Sequence, residues 1–151
     1  MKKQTDITEE FIGNATPGVG HILYESGYNK SKHEEEFKTA QWLLENFGGE
    51  IVLLAEQGGT YGAKRSDFEW RGRYWELKTL KSEKSVDSAL RKAIGQIYEK
   101  PGGVILDFGK NTVRLPQIES AVKSRIEASC RFKVEIMIVC SGTLQKVLRY
   151  T

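Results

Sequence analysis

The chain has 151 residues, of which 39% are hydrophobic and 28% charged, so it suits one globular domain with a core and not a disordered or fibrous protein. Its net charge of +3 permits a polyanionic partner without requiring one. No apolar run approaches the roughly 20 residues of a membrane span, and the N-terminus lacks the apolar segment of a signal peptide, so we expect no membrane partner. Two cysteines form no disulfide framework, so we expect reduced thiols and a protein that works in a cytosol.

Residues 1–32 are predicted to be an N-terminal arm with little regular structure, and residues 33–151 a single domain. The arm is polar and rich in glycine, and residues 16–20 interrupt it with Pro and Gly. Residues 21–24 have the pattern of a short strand. We expect His21 and His33, the two histidines of the chain, to be surface or packing residues and not metal ligands.

Residues 33–47 are predicted to form an amphipathic helix that ends at a pair of glycines. Glu36 falls on the border of its apolar stripe. Either its carboxylate reaches water there, or a metal or a hydrogen-bond network receives it, because an unpaired buried charge is unfavourable. The stripe consists of Phe37, Ala40, Leu43, Leu44 and Phe47.

A short apolar strand at residues 50–55 and a glycine-rich loop at residues 56–63 lead to a predicted β-hairpin over residues 66–78. Arg71 and Gly72 supply a two-residue turn, in which Gly accepts a positive φ. This turn places Asp67 opposite Glu76. It also pairs Phe68 with Trp75, Glu69 with Tyr74, and Trp70 with Arg73.

The predicted hairpin has one charged face and one apolar face, because alternate residues of a strand share a face. Two directly opposed acidic residues have Cβ atoms about 5 Å apart and repel each other, and a divalent cation between them would remove that repulsion. With Lys78 to stabilise an anion or orient a water, the set would suit phosphodiester hydrolysis. The alternative is an ordinary solvated face. The charged face comprises Asp67, Glu69, Tyr74, Glu76 and Lys78, and the apolar face Phe68, Trp70, Trp75 and Leu77.

The remainder alternates helices and strands. We predict helices at residues 86–100 and from Leu115 onwards, a central strand at residues 104–108, and two final strands at residues 134–140 and 144–150. The predicted order is α-β-β-β-α-β-α-β-β. It indicates an α/β (α+β) sandwich in which helices flank a mixed β-sheet.

A helix carrying Glu36, then Asp67 on one hairpin arm and Glu76-x-Lys78 on the other, followed by a helix and a strand, resembles the PD-(D/E)xK nuclease superfamily. Residues 33–50, 67–78 and 96–107 look more closely like the C-terminal nuclease domains of contact-dependent growth-inhibition (CdiA-type) toxins. Ser66 stands where that family has Pro. The resemblance implies Asp67 and Glu76 as metal ligands, Lys78 as the catalytic lysine, Glu36 as an additional acid and metal ligand, and Gln96 as an active-site support.

The resemblance further implies a toxin that hydrolyses RNA, with tRNA the expected substrate, and a cognate immunity protein as partner. Mg²⁺ is the expected cation, with Mn²⁺ and Zn²⁺ as alternatives. The toxin would act in a bacterial cytoplasm, delivered as the C-terminal part of a larger secreted protein. The sequence carries no indication of oligomeric state. Basic residues around the hairpin would hold the nucleic-acid backbone: Lys64, Arg65, Arg71, Arg73, Lys81 and Lys84.

Two other functions fit the same residues. One is a DNA endonuclease of the same fold, since contacts to the RNA 2′-hydroxyl leave no spacing signature in a sequence. The other is a catalytically silent module that binds nucleic acid or protein. Trp70, Trp75 and Tyr61 could stack on bases if exposed, but the register predicts that Trp70 and Trp75 lie in the core.

Overall fold

The computed structural model describes residues 2–55, 66–95 and 102–151. Its strands are β1 (Gln4–Asp6), β2 (Gly20–Tyr24), β3 (Gly49–Leu53), β4 (Phe68–Trp70), β5 (Arg73–Thr79), β6 (Gly102–Asp107), β7 (Val134–Cys140) and β8 (Thr143–Tyr150). Its helices are α1 (Thr8–Gly13), α2 (Glu34–Asn46), α3 (Val86–Ile94) and α4 (Leu115–Ser129), with single 3₁₀ turns at Lys30–Lys32 and Glu83–Ser85.

These strands form one sheet in the order β1-β8-β7-β6-β5-β4-β3-β2. From α2 to β8 the element order is the predicted one, and the mixed α+β architecture is confirmed. Strands β5, β6 and β7 pair in parallel, whereas β3, β4 and β5 pair antiparallel. Strand β6 lies in the middle and is buried at all but its last position, as its continuous apolar run predicts. None of the helices described here has the length and apolar character needed to cross a membrane.

The N-terminal residues form a strand and a helix, so the prediction of an arm with little regular structure is wrong for residues 4–13. Strand β1 pairs with β8, and β2 pairs in parallel with β3, so these two strands form the two edges of the sheet. From α1, Phe11 is buried and its ring packs edge-on against Phe47 and Trp70. Strand β1 and helix α1 are too short to show a clear periodicity in the sequence. Contacts with residues far along the chain hold them in place. The predicted strand at residues 21–24 is confirmed.

The hairpin forms with the predicted turn and register. Arg71 and Gly72 have φ values of 53° and 72°, the left-handed region that a two-residue hairpin turn of this kind requires. Trp70 pairs with Arg73, and Phe68 with Trp75. The ladder stops there, so the predicted pairing of Asp67 with Glu76 is not part of it. The Asp67 amide donates instead to the Trp75 carbonyl at 3.0 Å.

Two hydrophobic layers cover the two faces of the sheet. On one face, Phe68, Trp70 and Trp75 pack with the buried side of α2, which confirms the apolar face of the hairpin. On the other face, Val104 and its neighbours pack with α3 and α4. Because Glu76 is the register partner of Val104, its side chain starts on this second face.

Candidate active site

Three acidic side chains approach one another at the end of the sheet where the hairpin opens. Asp67 immediately precedes β4, Glu76 lies within β5, and Glu36 lies in the first turn of α2. Burial raises the pKa of both Glu36 and Glu76, and the charge of the Asp67 carboxyl and a hydrogen bond with it raise both pKa values further. The structure therefore brings together these three predicted site residues, which we call the acid cluster.

Glu76 is the most buried member of the acid cluster, with 2% of its surface exposed. Burial is the largest cause of its raised pKa, followed by the hydrogen bond with Asp67 and repulsion from it, and together they raise the pKa to about 10. Its Oε2 atom is buried and has no hydrogen-bond partner within the described residues. Glu76 therefore holds a proton at neutral pH, unless another positive charge replaces it.

Lys78 lies two residues after Glu76 on the same face of β5. Its Nζ atom is 3.9 Å from Oε2 of Glu76, and its side chain is 23% exposed. The ammonium charge opposes the rise in the Glu76 pKa, but burial and Asp67 outweigh it. Lys78 thus combines partial access to solvent with proximity to the acid cluster.

Asp67 is fixed in orientation by the backbone of the opposite strand. Its Oδ2 atom accepts a 2.7 Å hydrogen bond from the Leu77 amide, while its own carbonyl accepts one from the Leu54 amide at 3.0 Å. Beyond the last paired residues of β4 and β5, the Asp67 carboxylate thus accepts the amide hydrogen bond that a main-chain carbonyl would accept in a continuing ladder. This arrangement holds one Asp67 oxygen firmly and directs the group toward Glu36 and Glu76.

Glu36 lies on the border of the buried stripe of α2, and a partner receives it there. Burial and the charge of Asp67 raise its pKa to about 7, although His33 acts in the opposite direction. The Nδ1 atom of His33 is 2.8 Å from Oε2 of Glu36, and both side chains are 16% exposed. The interpretation of Glu36 as a residue received by a polar network is therefore favoured over a side chain reaching freely into water.

Tyr28 and His33 also lie beside the acid cluster, although the sequence pattern indicated neither as a site residue. The Tyr28 hydroxyl donates to the His33 carbonyl at 3.4 Å, and the two rings lie 5.5 Å apart. Burial, then the charges of Glu36 and Asp67, raise the pKa of the Tyr28 phenol above its ordinary value. The spacing of His33 and Glu36 across the start of a helix could have revealed their pairing. Nothing local marks Tyr28.

A hard divalent cation fits this site by its donor chemistry. Carboxylate oxygens are its preferred ligands, and Glu76 offers a buried oxygen that has no hydrogen-bond partner in the described part of the chain. Among residues 2–55, 66–95 and 102–151, however, no three His, Cys, Asp or Glu side chains are already spaced as a metal-binding group. The raised pKa values of Glu36 and Glu76 favour their protonated forms, so a bound cation would have to displace protons from them.

Some of the remaining predicted site residues lie within the described residues and others do not. Gln96, Lys64, Arg65 and Tyr61 lie outside the described residues. Lys81 and Lys84 are exposed and follow β5 in the chain. Trp70 and Trp75 are 1% and 0% exposed, which confirms their predicted place in the core.

Arg71 and Arg73 lie at the turn of the hairpin, and both are engaged within the protein. The Arg71 guanidinium covers the rings of Phe11 and Trp70, and Nε of Arg73 is 3.1 Å from Oε1 of the buried Glu135. Five residues of extended strand separate Arg73 from Lys78, about 17 Å. Their predicted contact with nucleic acid stays a prediction, and it would occur away from the acid cluster.

Comparison with known proteins supports the fold alone. No family model matches the sequence, and no curated protein matches it significantly. A chain from the CdiA-CT/CdiI toxin and immunity complex of Burkholderia pseudomallei has a similar structure, with a TM-score of 0.51 and 11% sequence identity. The similarity covers 83% of this chain and 98% of that one. A similar fold is thus found in a chain of that toxin and immunity complex.

Proposed function

We propose that this chain is a metal-dependent ribonuclease of the PD-(D/E)xK type that acts as a toxin, with tRNA as its substrate. The observation that carries the proposal is the acid cluster itself. Glu36, Asp67 and Glu76 converge, one buried oxygen of Glu76 has no hydrogen-bond partner among the described residues, and Lys78 lies 3.9 Å from that oxygen.

Such a cluster is hard to explain as a structural feature. Leaving a buried polar atom without a hydrogen bond costs about 1–3 kcal/mol, and carboxyl groups in contact add repulsion when ionised. A hydrophobic side chain at Glu76, beside Val104, would fill the same space without these costs. Strongly perturbed acids in contact with one another are typical of catalytic sites, where the cost is retained for chemistry.

The carboxylates of Asp67, Glu76 and Glu36 would hold the cation, with Mg²⁺ expected and Mn²⁺ or Zn²⁺ as alternatives. When bound, such an ion neutralises charge on a phosphate and lowers the pKa of a water. The Leu77 amide keeps Asp67 in a ligating orientation, and His33 does the same for Glu36. Lys78 would donate hydrogen bonds to a phosphate oxygen as its negative charge increases, which stabilises the transition state.

The toxin role is supported by the fold and by the site together. A similar fold occurs in a complex of a toxin with its immunity protein. A catalytic acid cluster fits the toxin of such a pair, because an immunity protein needs no hydrolytic site. The proposal therefore includes a cognate immunity protein as partner and a bacterial cytoplasm as the site of action. Lys81 and Lys84, exposed beyond Lys78, would contact the RNA backbone.

The test is cleavage by the purified protein of tRNA, total RNA and plasmid DNA, each with Mg²⁺ and with a chelator. We expect RNA, and tRNA first, to be cut only when the metal is present, and Glu76→Gln to be inactive. Glu45→Gln, an exposed position on α2, is the matched control. Cleavage confined to DNA would instead assign the endonuclease function. If nothing is cut, and induced wild type and Asp67→Ala are equally harmless to cells, the chain is a binding module.

A further inference from the structure

A cavity of about 230 Å³ lies beside α2 and does not form part of the acid cluster. Ile105 and Val139 form its buried aliphatic floor, from the central strands β6 and β7. Trp42 of α2 forms a wall, and its indole is held by a 2.9 Å hydrogen bond from Nε1 to the Gly142 carbonyl. Thr39 and Asp107 complete the part of the lining on which the argument depends.

The cavity borders the proposed catalytic site. Thr39 lies three residues after Glu36, so the two side chains are neighbours on the same side of α2. Asp107, at the end of β6, is the register partner of Thr79, which directly follows Lys78. Thr79 points to the cavity's face of the sheet and Lys78 to the opposite face, so a nucleotide that contacts Lys78 would pass over the end of β5 and β6, where adjacent strands are about 4.8 Å apart, to place a neighbouring group in this cavity.

The lining combines apolar surfaces with a few polar atoms. Thr39 is 9% exposed, and within the described residues its hydroxyl has no hydrogen-bond partner. One oxygen of Asp107 accepts from the Gly109 amide at 2.9 Å, which holds the carboxylate in place and leaves the second oxygen to accept another hydrogen bond. A planar group with apolar faces and a hydrogen-bonding edge matches this combination, and a nucleobase has both.

We propose that this cavity, which we call the base pocket, binds one unpaired nucleobase of the RNA next to the phosphate that is cut. The proposal rests on the ribonuclease function proposed above. Pockets for drug-sized ligands are usually about 300–1,000 Å³, and a smaller volume suits a single base. The Trp42 indole would contact the base face, while Thr39 and Asp107 would hydrogen-bond its edge. The substrate class is thus RNA with an accessible, unstacked nucleotide at the cleavage position.

Mononucleotide binding tests the base pocket without requiring cleavage. Trp70 and Trp75 are buried and Trp42 is half-buried, so Trp42 is the tryptophan that a bound base can quench. We expect saturable quenching by at least one of AMP, CMP, GMP and UMP, and none by ribose 5-phosphate. Thr39→Leu, which fills the cavity, should weaken binding at least tenfold, whereas Thr112→Leu in an exposed loop should not change it. Equal quenching by ribose 5-phosphate would overturn the proposal.

A cleavage experiment separates the base pocket from the nuclease function. An RNA with one abasic nucleotide beside the cut site should be cleaved at least tenfold more slowly by the wild type. Thr39→Leu should cut the intact RNA at this reduced rate, with no further loss on the abasic RNA. If Thr39→Leu and the abasic nucleotide each slow cleavage and their effects multiply when combined, the base pocket is refuted and the nuclease function stands. If mononucleotides bind but no RNA is cut, the nuclease function fails alone. Thr39→Val replaces Thr39→Leu if that variant does not fold.

Discussion

The Nζ atom of Lys78 lies 3.9 Å from Oε2 of Glu76, beyond hydrogen-bond distance, although that oxygen is buried and has no hydrogen-bond partner among the described residues. A purely structural ion pair would close this gap, since a direct contact relieves both charges. Glu76 instead keeps an oxygen that a hard cation can bind. Lys78 keeps a side chain that is 23% exposed, through which it can reach a substrate.

Glu76→Gln should separate stability from function. The amide resembles the protonated carboxyl that burial favours at this position, but it is a poor cation ligand. We expect RNA cleavage to fall by about 10²–10³-fold or more, the effect of losing one strong electrostatic contact in a transition state. The free energy of unfolding should stay within about 1 kcal/mol of the wild type or increase. Thermal melting and tRNA cleavage, with Glu45→Gln alongside, measure both. A variant that keeps its activity would contradict the assignment.

Lys78→Met should remove activity while preserving the fold. The methionine keeps most of the apolar stem of the lysine and loses the charge, and Lys78 is 23% exposed, so little stability should be lost. We expect kcat to fall by about 10²-fold or more with a smaller change in metal affinity. Single-turnover cleavage at saturating Mg²⁺ checks this. An unchanged kcat would show that a positive charge other than that of Lys78 stabilises the phosphate in the transition state.

Stability should decline with rising pH when no metal is present. The folded pKa of Glu76 is about 10 and its ordinary value is 4.5, so the folded protein holds this proton more tightly than the unfolded chain does. The resulting stabilisation is complete below pH 4.5 and is lost as the pH rises toward about 10, by up to about 1.4 kcal/mol per pH unit. Glu36 adds a smaller loss of the same sign, between its ordinary pKa of 4.5 and about 7.

Denaturant unfolding at several pH values in a chelator measures this slope, and Glu76→Gln should flatten it. Mg²⁺ should restore stability most strongly at high pH, where it no longer competes with protons, by about 2.7 kcal/mol at 100 times its Kd. A wild type whose stability is independent of both pH and Mg²⁺ between pH 5 and 9 would contradict the acid cluster as described.

His33→Asn should weaken the site without unfolding the protein. His33 holds the Glu36 carboxylate through a 2.8 Å contact, and the loss of a residue that orients a metal ligand typically costs about 10–100-fold in metal affinity or activity. His21→Asn provides a matched control, because His21 is exposed on the edge strand β2. Mg²⁺ titrations of the cleavage rate compare the two. Equal behaviour of the two variants would exclude a positioning role for His33.

Phe11→Ala tests whether the N-terminal segment is part of the folded domain. Phe11 is 5% exposed among the rings of Phe47, Trp70 and Trp75, and such a truncation costs about 3–5 kcal/mol. Ile12→Ala is the matched control, because Ile12 is 53% exposed and its truncation should change stability by less than about 0.5 kcal/mol. Chemical denaturation of the two variants gives the comparison. If both substitutions change the free energy of unfolding by a similar, small amount, the N-terminal segment is an arm and not part of the folded domain.

The sequence by itself determined the elements whose patterns are local. Alternation in the hairpin placed Phe68 and Trp75 in the core, and the helical period placed Glu36 at the border of a buried stripe. The turn at Arg71 and Gly72 fixed the register from adjacent residues. These patterns can be read because their period depends on backbone geometry and not on partners elsewhere in the chain.

Tertiary structure alone decided what depends on distant partners. Strand β1 exists because β8 pairs with it, and its own sequence is too short for a periodic signal; the strand pattern at residues 21–24 is local, but only the fold places β2 beside β3. Tyr28 reaches the acid cluster only after β2 has docked, and Arg73 meets Glu135 across the sheet. The depth at which Glu76 is buried, and hence its raised pKa, is likewise set by the layers that cover it. Burial is a property of the whole packing arrangement, and no local spacing encodes it.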